Sequence, residues 1–229
     1  MAAASAVRAV TKLIQAVRGA AGGVMELEAR LGRLGAGGGF LSGVSAAEFE
    51  RIVGGLERCT AWTVPPPPEW VETRDYTTGD GVRVTATSGG GAVVALRKTA
   101  CATENLACVS AAPRNDSHHD VRVRLSMEED AVVPGAATPT VHVRIKQRKS
   151  FVYKEWRVDA TRCWAGGTLQ AAEEARARGS TVYEVEVECV DAALTLSRHD
   201  DAHVAESLLL KVCGLMHVEH AFTMEATSV

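Results

Sequence analysis

A mainly β (α+β) fold, an antiparallel barrel or sandwich with helices kept mostly to its ends, is the class this sequence predicts. Three observations carry that prediction. From residue 70 to residue 189 apolar and polar residues alternate with period two almost without interruption, the pattern of half-buried strands. Gly, Pro, Asn and Asp clusters separate these runs at short intervals, as turns require. Helical spacing dominates only near the two ends and in one interruption before the last strand. Many short strands with segregated helices belong to antiparallel barrels and sandwiches.

The elements follow in order. Val7, Val10, Leu13, Ile14 and Val17 have helical spacing, so residues 1–22 are expected to lay an amphipathic helix on the body. Arg8, Lys12 and Arg18 with no acid among the first 25 residues also fit an organelle transit peptide, but the apolar stripe favours the helix. After Gly22-Gly23 the run "MELEARLG" alternates strictly, and "GAGGGFLSG" reads as a glycine-rich loop. "SAAEFERIVGGLERCTAW" reads as a helix, with Ser45 at the N-cap, Glu48 three residues on, and Phe49, Ile52, Val53 and Leu56 on one face. Pro65 to Pro68 form a stiff connector. Strands are then expected at "WVETRDY", "GVRVTAT", "AVVALRKT", "LACVSAA", "DVRVRLSM", "TVHVRIKQRKSF", "YKEWRVDATRC" and "YEVEVEC". The helix "TLQAAEEARARG" precedes the last of these; a short strand at "AALTLSR" and the helix "DDAHVAESLLLKVCGLM" follow it. The expected organisation is a single domain over 1–229: helix 1–22, a strand core 24–190, and a C-terminal strand and helix 191–229.

At 229 residues and 46% hydrophobic the chain can bury a sizeable core. A net charge of −3 gives no global attraction to nucleic acid, so any anion site must be local. The six cysteines form no CxxC, and no secretory signal precedes them, which predicts reduced thiols in an intracellular protein. No apolar run approaches the ~18 residues of a membrane span.

The polar strand faces are sorted by sign. In "YEVEVEC" Glu184, Glu186 and Glu188 share one face and Tyr183, Val185, Val187 and Cys189 the other. Carboxylates two residues apart are about 6.8 Å from each other, and in water their repulsion costs only about 0.6 kcal/mol, so a wet outer face is one answer. "MELEARLG" carries Glu26, Glu28 and Arg30 on its polar face; "VHVRIKQR" carries His142, Arg144, Lys146 and Arg148. "DVRVRLSME" carries Arg122, Arg124, Ser126 and Glu128, and "RVDATR" carries Arg157, Asp159 and Thr161. Acids on one wall and bases on another suit a closed barrel with its polar faces inward, where about eight strands leave room for side chains or one small ligand. Carboxylates hold hard divalent cations, and Arg and Lys clamp phosphoryl oxygens.

Seven motifs in order then resemble the metal-dependent RNA 5′-triphosphatases of fungal, protozoan and large-DNA-virus capping systems, members of the triphosphate tunnel metalloenzymes. The first strand reads ExE ("ELEARLG") and the last ExExE ("YEVEVEC"); between them stand "GVRVT", "LRKT", "DVRVRLSME", "RIKQR" and "VDAT". The match runs from about Met25 to Cys189. The resemblance implies a closed eight-stranded tunnel whose floor holds Mg2+ or Mn2+. It implies Glu26, Glu28 and Glu188 as direct metal ligands, with Glu186 and Asp159 on metal-bound waters. Arg83, Arg144, Lys146 and Arg148 would grip phosphates, and Glu128 would position or deprotonate the attacking water. In "LRKT" Lys98 is chosen for the phosphate-binding lysine, with Arg97 as the other candidate. The activity implied is removal of the γ-phosphate from triphosphate-ended RNA, the first step of cap formation. Inorganic polyphosphate or nucleoside triphosphate hydrolysis, or non-catalytic triphosphate-end binding, are the alternatives. The resemblance also implies a separate RNA guanylyltransferase as partner and a nuclear location or a viral replication site, and it leaves the oligomeric state undetermined.

Rival features are weaker. "GAGGGF" lacks the Lys-Ser or Lys-Thr of a P-loop, and "LRKT" has Arg97 where that motif needs glycine. His199 and His203, and His217 and His220, have spacings used by zinc sites but read as exposed or capping residues. "SHHD" reads as a polar turn, and Trp62, Trp70, Trp156 and Trp164 as packing residues.

Overall fold

The computed structural model describes residues 4–18, 24–88, 90–107, 119–135 and 138–216. Its strands are β1 (Val24–Leu34), β2 (Phe40–Ser42), β3 (Val71–Thr78), β4 (Val82–Thr87), β5 (Val93–Leu106), β6 (Asp120–Asp130), β7 (Thr140–Tyr153), β8 (Trp156–Gly166) and β9 (Val182–Cys189). Its helices are α1 (Ala4–Val17), α2 (Ala46–Arg58), α3 (Leu169–Ala177), α4 (Ala192–Arg198) and α5 (Asp201–Met216). The strands form one sheet in the order β2-β1-β6-β5-β4-β3-β7-β8-β9, and β9 pairs back onto β1. Every pairing is antiparallel. Eight strands thus close a barrel, and β2 lies beside the far end of β1.

The alternation in the sequence decides which face points where. Leu27, Val123, Leu125, Val158, Val185 and Val187 point outward into one core with Val10, Leu13 and Ile14 of α1 and Val204, Leu208 and Val212 of α5. Phe49, Ile52 and Leu56 of α2 join the same core. A smaller cluster seats Ala172 and Ala175 of α3 on Val143, Ile145 and Trp164. Each fully buried Leu, Val or Ile contributes about 1.5–3 kcal/mol, so the apolar core lies outside the barrel and the lumen is left for polar side chains. The helices begin as the sequence predicts: the Ser45 hydroxyl accepts from Glu48 N and the Thr168 hydroxyl from Ala171 N, supplying two N-cap bonds.

Four local expectations are corrected. "AALTLSR", expected as a strand, is helix α4, because Asp191 caps it by accepting from Leu194 N while Ala192, Thr195 and Leu196 are buried at helical spacing. "YKEWRVDATRC" is not one strand: Tyr153 pairs with Trp156 across a two-residue loop in which Lys154 takes φ 53°, so β7 turns back into β8. The loop "GAGGGFLSG" contains β2, whose Phe40–Ser42 pair with Leu34–Gly32. "SHHD" is not a solvated turn at its end, since His119 and Asp120 are both buried and Asp120 accepts from Leu34 N at 2.7 Å. β5 continues to Leu106, and the remainder of "LACVSAA" from residue 108, like the break at Gly22-Gly23, lies outside the described residues.

β2 docks where β1 has no side chain. A Cβ on Gly32 would stand 2.3 Å from Leu41 O and 2.6 Å from the Phe40 ring. Gly32→Ala should therefore destabilise the protein by about 1–3 kcal/mol in urea unfolding. Gly37→Ala, in open space, should stay within about 0.5 kcal/mol.

Candidate active site

The barrel closes through a short ladder: Glu28 opposite Glu188, Ala29 opposite Val187, Arg30 opposite Glu186. The two acidic strands are therefore neighbours at the seam, and Glu28 faces Glu188 across it on the lumen side. Like charges directly opposite are destabilising, and here Glu28 and Glu186 are both buried. The lumen answers with cations. Arg30 spans Glu28 at 2.9 Å and Glu186 at 3.1 Å. Lys98 pairs with Glu26 and lies 3.4 Å from Glu28. Arg157 holds Glu188 at 2.6 Å.

The opposite wall is basic, and its charges are also matched. Arg144 pairs with Glu184 at 2.5 Å, Lys146 with Asp75 at 2.6 Å, and Arg148 with Asp159 at 2.9 Å. Arg83 on β4 reaches Glu128 on β6 at 3.0 Å. Between these walls lies a cavity of about 480 Å³ lined by Glu26, Glu28, Arg83, Lys98, Glu128, Arg144, Lys146, Arg148, Glu186 and Glu188, with Arg30, Arg157, Thr73, Thr85 and Ser150 among its other residues.

Ten of the eleven site residues expected from the sequence thus meet in one lumen. The eleventh, Asp159, shares that face opposite Glu186 and is fully buried beneath the lining, accepting from Ser150 Oγ at 2.6 Å, Arg148 Nη1 at 2.9 Å and Arg157 Nε at 3.1 Å. Lys98 is the lumen residue of its strand, opposite Glu128 in register, while Arg97 lies outside against Asp80. Glu184 stands apart from the seam with Arg144. Asp75 was not singled out in the sequence; the alternation of "VETRDYTT" puts it on the face of Thr73, where it meets Lys146.

Burial and charge pull the acids in opposite directions. Glu188 is pushed up to about 7, first by burial and then by Glu26, Asp159 and Glu186, against the opposing pull of Arg157. Glu26 is raised by burial and by Glu28, in spite of Lys98. Glu186 is the contrast: burial would raise it, yet Arg30, Arg148 and Arg144 hold it below the usual carboxylate range. Burial lowers Lys146 although Asp75 opposes it. Among the described residues no three acidic, histidine or cysteine side chains converge on a common point where a metal ion could sit, because Glu26, Glu28 and Glu188 are each drawn to a cation. The donor set nonetheless fits a hard cation: Glu28 Oε1 is buried with no hydrogen-bond partner, and Glu26 and Glu188 are held above the ordinary carboxylate range.

Outside the barrel a smaller cavity of about 220 Å³ touches His199 and His203, whose rings are 5.0 Å apart; His217 and His220 lie outside the described residues. Trp156 Nε1 donates to Ser207 and Trp164 Nε1 to Thr181, Trp62 packs on Phe151, and Arg162 stacks on Trp70. Cys59, Cys101, Cys163 and Cys189 are free thiols. Among the described residues no helix is long and apolar enough to cross a membrane.

No family profile matches the chain, and no curated protein sequence does. Solved structures do. The RNA triphosphatase Pct1 of S. pombe superposes with a TM-score of 0.69 at 16% identity, over 94% of this chain and 92% of that one. The Mimivirus capping enzyme triphosphatase gives 0.58 at 14% identity, over 94% and 98%. Pct1 in complex with the Spt5 CTD gives 0.67 at 16%. The closed barrel of this chain is therefore the tunnel fold of these RNA triphosphatases.

The seam makes a stability prediction. Arg30→Met leaves Glu28 and Glu186 without their shared partner, and breaking a buried pair costs about 3–5 kcal/mol. Urea unfolding should show a loss of that size, against less than about 1 kcal/mol for the exposed pair Arg178–Glu174.

Proposed function

We propose that this chain is a metal-dependent phosphohydrolase that removes the γ-phosphate from the 5′-triphosphate end of RNA, the first step of cap formation. One observation carries the reading: acidic and basic walls face each other across one enclosed cavity, in a fold shared with RNA triphosphatases. Glu26, Glu28 and Glu188 would hold Mg2+ or Mn2+ directly, with Glu186 and Asp159 on its waters. Such an ion neutralises and orients phosphoryl oxygens.

The remaining work falls to the side chains that line the lumen. Arg144, Lys146 and Arg148 lie along one strand at alternate positions, so their cationic heads follow a phosphate chain laid along the lumen. Arg83 and Lys98 approach it from β4 and β5. Glu128 is the base: it accepts a proton from the water whose oxygen attacks the γ-phosphorus, while the bond to the β-bridging oxygen breaks and the diphosphate end departs. Charge then spreads over oxygens already faced by guanidinium and ammonium groups, the electrostatic stabilisation on which phosphoryl transfer mostly depends. Asp159, bonded to Arg148 and Arg157, also sets the angle of both.

A second reading is supported by the same lining. The groups that meet the cavity are chiefly charged or small and suited to phosphate rather than to a base, which favours inorganic polyphosphate or nucleoside triphosphates as additional substrates. In cap formation the chain would act beside a separate RNA guanylyltransferase, in a nucleus or at a viral replication site. A peptide such as the Spt5 CTD, with which Pct1 forms a complex, is a second class of partner.

The test is phosphate release from triphosphate-ended RNA and from tripolyphosphate with Mg2+, Mn2+ or chelator. Release is expected with either metal and none with chelator. Release that ignores chelator rejects the metal role, and no release with any metal leaves a binding module. Glu26→Gln, Glu28→Gln and Glu188→Gln should each lower kcat by about 100-fold or more with the fold retained by circular dichroism. Arg148→Lys loses a planar fork at a phosphate; one lost charge-assisted bond of about 1.5–3 kcal/mol means about a 10- to 100-fold loss.

A further inference from the structure

The cations of the cavity described above have carboxylate partners within the protein. Two arginines on the same lumen face do not. Arg122 and Arg124 stand on β6 with Ser126 and Glu128, and among the described residues neither is ion-paired to an acid. Arg124 lies directly opposite Glu28 in the β1–β6 ladder, yet Glu28 is taken by Arg30 and Lys98. Arg124 Nε is buried with no hydrogen-bond partner.

Their surroundings add charge of the same sign. Arg122 faces Arg30 directly across the ladder, a like-charge pair of the destabilising kind. Burial, then Arg124 and Arg30, hold Arg122 below the ordinary guanidinium range. The Arg122 side chain is nonetheless fixed in place: its Nε donates to Asn105 Oδ1 at 2.9 Å, and its guanidinium lies 4.6 Å over the Phe40 ring. Phe40 in turn rests on Gly32, where no side chain would fit. The position is also defined. Along the ladder Glu128 stands opposite Val24, Arg124 opposite Glu28 and Arg122 opposite Arg30. The two arginines therefore lie toward the mouth bordered by β2, away from the mouth where Glu128 and Lys98 stand.

We infer that Arg122 and Arg124 form a second oxyanion site in the lumen, at the β2 mouth, that takes a phosphate group. Two guanidinium forks on one strand face, that of Arg122 held in place and both lacking a counter-charge from the protein, match phosphate oxygens bidentately. The phosphate has two sources with one chemistry: a further group of the substrate chain, or the orthophosphate released by hydrolysis. The identity of the anion rests on the phosphohydrolase reading; the uncompensated charge does not.

The test uses the full chain and inorganic orthophosphate. Isothermal titration of wild type, Arg148→Gln and the double variant Arg122→Gln/Arg124→Gln should show that the double variant loses one phosphate equivalent that Arg148→Gln retains. In phosphate-free buffer the double variant should melt at or above the wild-type Tm, because like-charge repulsion is removed; this keeps a folding defect separate. Unchanged phosphate stoichiometry and affinity in the double variant would overturn the site. Turnover assays separate the sources. If the site takes product, inhibition by orthophosphate weakens about tenfold while KM for tripolyphosphate holds. If it takes the chain, KM for long-chain polyphosphate rises about tenfold more than KM for tripolyphosphate. No change in either assay counts against the site. A wild type that releases no phosphate from any substrate, yet loses the equivalent on double substitution, would reject the hydrolase reading and leave the site standing.

Discussion

The structure depends on a barrel seam that sets glutamate against glutamate. Glu28 and Glu188 meet across the β1–β9 ladder, with Glu186 one pair further on and opposite Arg30. No apolar neighbour can relieve that contact, and the desolvation of several carboxylates costs several kcal/mol per ion. The barrel can close this way only because Arg30, Lys98 and Arg157 reach the same carboxylates from three strands. The charges on β1, β5 and β8 are thus conditions for closure as well as candidates for chemistry. Burial without full neutralisation is visible in Glu188 and Glu26, both held above the ordinary range.

Placing charge in the lumen forces the apolar faces outward, and this explains the helices. A strand such as "YEVEVEC" has to bury Val185 and Val187 somewhere, and an outward face exposed to water would forfeit the burial that stabilises the fold. α1, α2 and α5 supply the missing cover, and α3 covers the second patch. The helices therefore do for the outside of the barrel what a packed interior does for barrels with apolar lumens. The N-terminal helix reads as part of this coat, with Val10, Leu13 and Ile14 buried on the body.

Much of this was legible in the sequence because two periodic signals coincided: apolar alternation gave the strands, and charge sign on the other face gave the walls. What escaped the reading lacked a period. β2 is three residues long, too short for alternation to register, and its place depends on the empty space beside Gly32. α4 spans only Ala192–Arg198, and its sequence carries Thr and Leu that suit a strand as well; the Asp191 cap decides. The β7–β8 turn puts Lys154, not glycine or asparagine, at positive φ, where the hairpin register on either side and the contact of Lys154 with the Tyr153 ring hold it. The role of Arg30 escaped for another reason. The motif shows which acids share its face, but only the closed seam shows that it must neutralise two of them at once.

The mutual pairing of the walls has a consequence for what the lumen can accept. A ligand carrying only negative charge would draw Arg83 from the half-buried Glu128 and Arg144 from the buried Glu184, leaving both carboxylates unpaired, and breaking a buried pair one-sidedly costs about 3–5 kcal/mol. A ligand carrying only positive charge would strand Lys98 and Arg157 in the same way. A polyanion that brings a divalent cation avoids both penalties: each displaced arginine or lysine finds phosphate oxygens, and each released carboxylate finds the cation. The affinity of the two components for the lumen must then be coupled, and by linkage each raises the other's by the same factor. On the proposed function, the sorting of charge by strand, first visible as an oddity of the sequence, would favour cation–polyphosphate pairs over either ion alone between the paired walls.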